Sequence, residues 1–359
     1  MKQPPNETLY GIQFLRFIAA MMVVMRHALH RTDLVHPGQG YADWGVGSAG
    51  VDIFFVISGF LMVQVTLDKD KSPLEFWLRR VIRVVPIYWV FTLIAFALTV
   101  AFPAYFFGSM GLRQLLASLA FIPEPLPNGK VVPVIPAGWT LNLEMPFYTL
   151  LAACLLFGRS YLIATVSILF GIFCVSTLWV KSGHIPAFYA GGAVILEFAM
   201  GIFAAFLLKH SGGSKPGLGL VMVVFGFVLI WFMWNNGPNP RALVIGGPAL
   251  LIVMGTVIAE PLLRTWAPKF TILIGDASYS IYLVHMIWMN PLMRGGYNHK
   301  DGYLASMPPS VFLFILVVGS LVLGISSHLW LEKPLIARLR GQMAALSPKS
   351  LALPNTAQQ

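Results

Sequence analysis

Apolar runs of about twenty residues, separated by short polar and turn-rich stretches, recur along this chain from residue 9 to residue 331. A helix that crosses a bilayer needs roughly 20 mainly apolar residues. On that rule the pattern predicts ten spans: 9–29, 47–66, 82–103, 139–157, 161–180, 187–208, 217–234, 242–259, 271–290 and 309–331. The expected fold class is all-α, a polytopic integral membrane protein built as a bundle of about ten transmembrane helices. Residues 1–335 form the membrane domain in this reading, and 336–359 a short basic and polar cytoplasmic tail without order. The apolar piece from Leu112 to Phe121 is too short to span and predicts a re-entrant or interfacial segment.

Composition sharpens the picture. Hydrophobic residues make up 57% of the chain and charged residues only 11%, against about 25% charged in soluble domains. With the N-terminus inside, fifteen Lys and Arg fall in inner segments and seven in outer ones, so both termini are expected on the cytoplasmic side. The net charge of +10 then reflects membrane orientation, and nucleic acid is not an expected partner. Tryptophans at span ends, including Trp139, Trp231, Trp266 and Trp330, suit the headgroup layer. The first run is too long for a cleaved signal peptide, and no small-residue cleavage site follows it. Cys154 and Cys174 read as apolar filler rather than a disulfide, and no metal site is expected.

The informative residues are those that break the apolar pattern. Arg16, Arg26 and His27 lie within the first run, and a charge there costs roughly 2.5–3.5 kcal/mol. Arg26 is near enough to the end to snorkel. Arg16 is not, and at 100° per residue it shares a face with His27, roughly 16 Å further along the axis. Asp52 enters the second span at a depth comparable to His27. It either orients that imidazole or caps its own helix. Ser58 follows in the same span.

Arg79, Arg80 and Arg83 crowd the cytoplasmic mouth of the third span, where like charges three or four residues apart cost stability. An anion gripped by their guanidinium forks offsets that cost; ordinary positive-inside topology with anionic headgroups is the alternative. Glu144 lies at about the outer depth of Asp52, as a substrate ligand or as helix-to-helix glue. Glu197 reads as paired within the bundle. In the ninth span Ser278, Tyr282 and His285 form one polar stripe, which also suits helix packing. Asp276 is half a turn away from His285.

Two levels of polar groups result. Phosphate-binding arginines inside and an imidazole–carboxylate set outside suit a coenzyme A thioester entering from the cytoplasm. An imidazole then acts as general base on an acceptor hydroxyl, or is itself acylated first. Buried charges also mark transport paths, so a transporter or flippase of a lipid-linked sugar is the alternative.

Five pieces in order resemble the acyltransferase-3 family of membrane O-acyltransferases. They are Leu15-Arg-Phe-Ile-Ala-Ala20 with His27, Gly50-Val-Asp-Ile-Phe-Phe-Val-Ile-Ser-Gly-Phe60, Arg80-Val-Ile-Arg83 with Pro86 and Tyr88, Trp139-Thr-Leu-Asn-Leu-Glu144 through Tyr148, and Ala277 through His285. Around the first two spans the wording is similar to bacterial exopolysaccharide acetyltransferases of the succinoglycan type. The resemblance implies acyl-CoA, usually acetyl-CoA, as co-substrate and an extracytoplasmic or lipid-linked polysaccharide as acceptor. It implies the bacterial inner membrane as location, with membrane lipids and polysaccharide assembly proteins as partners. Catalytic roles are expected at His27, Arg16, Asp52 and Glu144. Donor binding is expected at Arg79, Arg80, Arg83 and Tyr88, with Ser58, Ser278, Tyr282 and His285 lining the site.

Overall fold

The computed structural model describes residues 9–41, 44–66, 72–107, 110–125, 131–181, 194–210, 215–236, 244–266, 270–299 and 302–345. The chain is all-α. Its helices are α1 (Tyr10–Val35), α2 (Ala49–Thr66), α3 (Pro73–Ala101), α4 (Leu112–Leu119), α5 (Leu141–Cys154), α6 (Tyr161–Lys181) and α7 (Ile195–His210). They continue with α8 (Pro216–Asn236), α9 (Gly246–Ile258), α10 (Glu260–Trp266), α11 (Phe270–Asn298), α12 (Tyr303–Ser306), α13 (Pro309–Ser327) and α14 (Lys333–Ala345). Every expected span coincides with a helix. Among the described residues seven helical runs are long and apolar enough to cross a membrane, and α9–α10, bent by 68°, makes an eighth. Expected span 187–208 begins outside the described residues, which leaves the 16-residue α7.

Helix starts follow local chemistry. α3 begins nine residues before the expected span because Ser72 caps it, its Oγ accepting from the Glu75 amide at 3.1 Å, with Pro73 at the first helical position. The three arginines therefore ride on a helix rather than a loop. α1 is capped from far away: Glu260 accepts from the Tyr10 and Gly11 amides at 2.7 and 2.8 Å. That carboxylate satisfies two otherwise orphan donors at the positive end of the helix dipole. Leu112–Leu119 forms α4, docked by Trp89 Nε1 on the Leu119 carbonyl (2.9 Å) and by the Val134 amide on Ser118 Oγ (2.9 Å).

The expected disordered tail starts instead as α14. A π-turn at His328–Glu332 joins it to α13, and its Ile336 is buried as α14 packs along α3. Helix formers (Leu335, Ala337, Leu339) with one apolar anchor suffice for this; 346–359 lies outside the described residues.

Small residues set the closest helix crossings. Gly59 of α2 and Gly201 of α7 face each other, and a β-carbon on either meets backbone of the opposite helix. In lipid, where apolar side chains gain little by leaving the solvent, such close backbone approach is a main source of association. Gly275 of α11 likewise abuts the Gln13 backbone of α1. α1 and α11 run parallel in close contact, and Val24, Ala28, Ile281, Phe312 and Leu316 form a core between them and α13. A larger core fills the space among α2, α3, α5, α7 and α9. Outward faces, such as Val221, Val224, Phe225, Val228 and Phe232 on α8, carry exposed apolar side chains suited to lipid.

Candidate functional site

A cavity of about 290 Å³ opens among α1, α2, α3, α5, α11 and α14. Arg16, Ser58, Arg80, Arg83, Glu144, Ser278 and Tyr282, all expected from the sequence, line it together. So do Gln13, Tyr148, Asp276, Tyr279 and Arg340, which the sequence reading left without a role. Arg80, Arg83 and Arg340 mark one end, the arginine end; Thr140 and Tyr282 mark the other.

Arg16 is held by a relay. Its NH1 donates to Gln13 Oε1 at 3.0 Å, and Gln13 Nε2 donates to Asp276 Oδ1 at 3.0 Å. A signal for Gln13 was present, since it stands three residues before Arg16 and shares its helix face. Asp276 was legible only as half a turn from His285, and it meets α1 lower down the same contact, at Gln13. Glu144 accepts from Ser58 Oγ at 3.1 Å and from the Tyr148 hydroxyl, one helical turn on. Arg79 leaves the site: its Nε bonds Glu75 Oε1 at 3.0 Å on the half-exposed side of α3, and it does not line the cavity. A local i, i+4 carboxylate outcompetes the cavity for that guanidinium. Tyr88 is also outside the lining, fully buried and stacked on Phe121 at 4.9 Å between ring centroids.

Beyond Tyr282 lies a second group. His285 is one turn further along α11, its ring 5.9 Å from that of Tyr282. The His27 ring stacks on it at 5.3 Å with 29° between planes. His285 is fully buried near the Ile281 and Tyr282 carbonyls, yet neither ring nitrogen makes a hydrogen bond of good geometry. Leaving a buried polar group unpaired costs about 1–3 kcal/mol, a cost that folding alone gives no reason to retain. Arg31 backs this pair. It was read as an outer-loop residue but is buried, its Nε and NH2 donating to Asn290 Oδ1 at 3.2 and 2.8 Å.

Asp52 is fully buried in the first turn of α2, and the ring stacked on His27 is that of His285. The expected catalytic set also divides: Arg16 and Glu144 line the cavity, whereas neither His27 nor His285 does. Tyr282, whose hydroxyl donates to the Ala137 carbonyl at 2.9 Å, stands between the two groups. Among the described residues no cluster of His, Cys, Asp or Glu is placed to hold a metal ion, and both cysteines are free.

Comparison with known proteins bears on what this arrangement does. Residues 9–328 match the family described as an acyltransferase domain. The exopolysaccharide production protein ExoZ of Rhizobium meliloti (strain 1021) is 35% identical over 306 residues, covering 83% of this chain and 92% of the relative. Nodulation protein 10 of Rhizobium leguminosarum bv. viciae is 26% identical, covering 82% and 88%. The peptidoglycan O-acetyltransferase OatA of Listeria monocytogenes is 24% identical, covering 67% of this chain and 44% of that protein. No solved structure matches the chain.

Proposed function

The chain belongs to the acyltransferase-3 family, and from that membership we propose that it moves an acetyl group from cytoplasmic acetyl-CoA to a hydroxyl of an extracytoplasmic or lipid-linked polysaccharide. The reading places it in the bacterial inner membrane with both termini in the cytoplasm, the arginine end inward. The observation that carries it is a stacked imidazole pair, His27 and His285, the latter with both ring nitrogens unpaired, lying just beyond Tyr282 from a cavity lined by Arg16, Arg80, Arg83 and Arg340.

Separation along α1 assigns the roles. Arg16 and His27 are roughly 16 Å apart on the helix axis, too far for both to touch one carbonyl. Arg16, Arg80 and Arg83 therefore hold the donor, and its extended arm spans the gap past Tyr282. At the imidazole pair the acceptor O–H proton passes to a ring nitrogen. The oxygen forms a C–O bond to the thioester carbonyl, the C–S bond breaks, and the coenzyme A thiolate takes the proton. The same pair also suits a two-step route through an acyl-imidazole. Glu144, fixed by Tyr148 and Ser58, is a hydrogen-bond acceptor for the donor arm in the cavity wall. The ExoZ and OatA likenesses favour a polysaccharide acceptor.

The experiment is label transfer from [14C]acetyl-CoA to surface glycan in membrane vesicles. Wild-type protein labels the glycan, and His27→Ala, inserted to the same level, does not. Equal labelling by the variant rejects the imidazole role. A wild-type protein that never labels glycan, yet is needed for its export, favours the transporter reading. Acid-labile label retained on the protein without acceptor separates the two-step route from direct transfer.

A further inference from the structure

We infer that Arg340, on the C-terminal helix α14, completes the donor site by binding phosphate oxyanions of the nucleotide end of coenzyme A. The inference deepens the acyl-CoA reading and rests on it. Arg340 lies beyond residue 328, where the family match ends, and lines the same cavity as Arg16, Arg80 and Arg83.

Its placement is built rather than incidental. Glu332 is buried in the π-turn, accepting from Ser280 Oγ of α11 at 2.7 Å and pairing with His328 Nδ1 at 2.9 Å. This clamp fixes where α14 begins. The π-turn adds a residue to the helical register, which rotates everything after it by about 100°. Ile336 is then the residue buried on the bundle, and Arg340, four positions later, lies on the same face at the cavity mouth.

The charge balance there calls for an anion. Arg340 is within electrostatic reach of Arg79 and Arg83, and of Arg80. Arg79 is neutralised by Glu75. Among the described residues none of Arg16, Arg80, Arg83 and Arg340 makes an ion pair, and Arg80 Nε is buried without a partner. The carboxylates on the cavity wall are Glu144 and Asp276, the first bonded to Ser58 and Tyr148 and the second to Gln13. Four guanidiniums converging from three helices against two occupied carboxylates leave an excess positive charge. A guanidinium fork meets phosphate with two parallel hydrogen bonds, and a donor with several phosphates uses several forks.

The test compares acetyl-CoA with acetyl-pantetheine, which has the thioester arm but no phosphates, in phosphatidylcholine vesicles with and without phosphatidylglycerol. Arg340→Gln raises the KM for acetyl-CoA about tenfold, the loss of one charge-assisted contact, with kcat changed less than about twofold. The preference of the enzyme for acetyl-CoA over acetyl-pantetheine falls by the same factor. Arg340→Lys, which keeps the charge but loses the fork, falls between. Arg340 is exposed enough to accept either change, and a monodisperse chromatographic profile verifies folding. An equal loss with both donors, or an unchanged KM in a folded variant, overturns the inference. A difference that appears only with phosphatidylglycerol assigns Arg340 to a lipid headgroup and overturns it too. If the wild-type protein transfers nothing from acetyl-CoA, the underlying reading fails instead.

Discussion

Replacing Gln13 with leucine keeps the side chain close to its original length while removing both ends of the Arg16–Gln13–Asp276 relay. Each hydrogen bond it breaks has a charged partner and is 3.0 Å long. Bonds of that kind contribute about 1.5–3 kcal/mol when buried. Both charged groups also line the cavity, so water reaches them once the amide is gone. That access roughly halves the sum of the two bonds, so the stability loss is expected at about 1.5–3 kcal/mol for the pair together. Arg16 itself loses its tether, and the donor loses an oriented guanidinium. Acetyl transfer should fall roughly tenfold or more, mostly in KM, as one charge-assisted contact is lost. The decisive assay is a double-mutant cycle in detergent-purified protein, with Gln13→Leu, Arg16→Ala and the double variant compared by kcat/KM. Because Gln13 acts through Arg16, the second change should add almost nothing once the first is made. Additive losses, or a Gln13→Leu protein with wild-type kinetics, would refute the relay.

Three further outcomes follow from the packing. His285→Phe fills the same space and deletes two unpaired buried nitrogens, so the melting temperature should hold or rise while transfer falls at least about tenfold; retained activity would remove His285 from the site. Glu260→Ala strips the cap from α1 and should cost about 1–2 kcal/mol, read as a lower midpoint in thermal unfolding, with Glu260→Gln intermediate; an unchanged midpoint would mean water caps that end equally well. Gly59→Val places two methyl groups against the α7 backbone and should abolish the monodisperse peak in size-exclusion chromatography, whereas a change at the exposed Val224 leaves it intact.

Much of this protein was determined by its sequence alone. Apolar runs of about twenty residues settle that it is a helical membrane bundle, because backbone in lipid must pair internally and runs of that length match a spanning helix rather than a barrel strand. Spacing along single helices put Arg16 and His27 on one face of α1, and Ser278, Tyr282 and His285 on one stripe of α11, since 3.6 residues per turn is a local property. The family was legible in five ordered motifs, and residues 9–328 match it. What the sequence left open were relations between helices: depth is a coordinate along one axis, and the rotation of each helix about that axis is set by packing. Asp52 therefore matched His27 in depth while the structure set His285 against that ring. Arg79 turned to Glu75, Gln13 and Asp276 met across the α1–α11 contact, and the π-turn brought Arg340 to the cavity. Arg79–Glu75 is a local i, i+4 pair whose preference over the cavity the sequence did not rank, whereas the Gln13–Asp276 contact depends on close approach at Gly275 and on a partner more than 250 positions away, which no local pattern encodes.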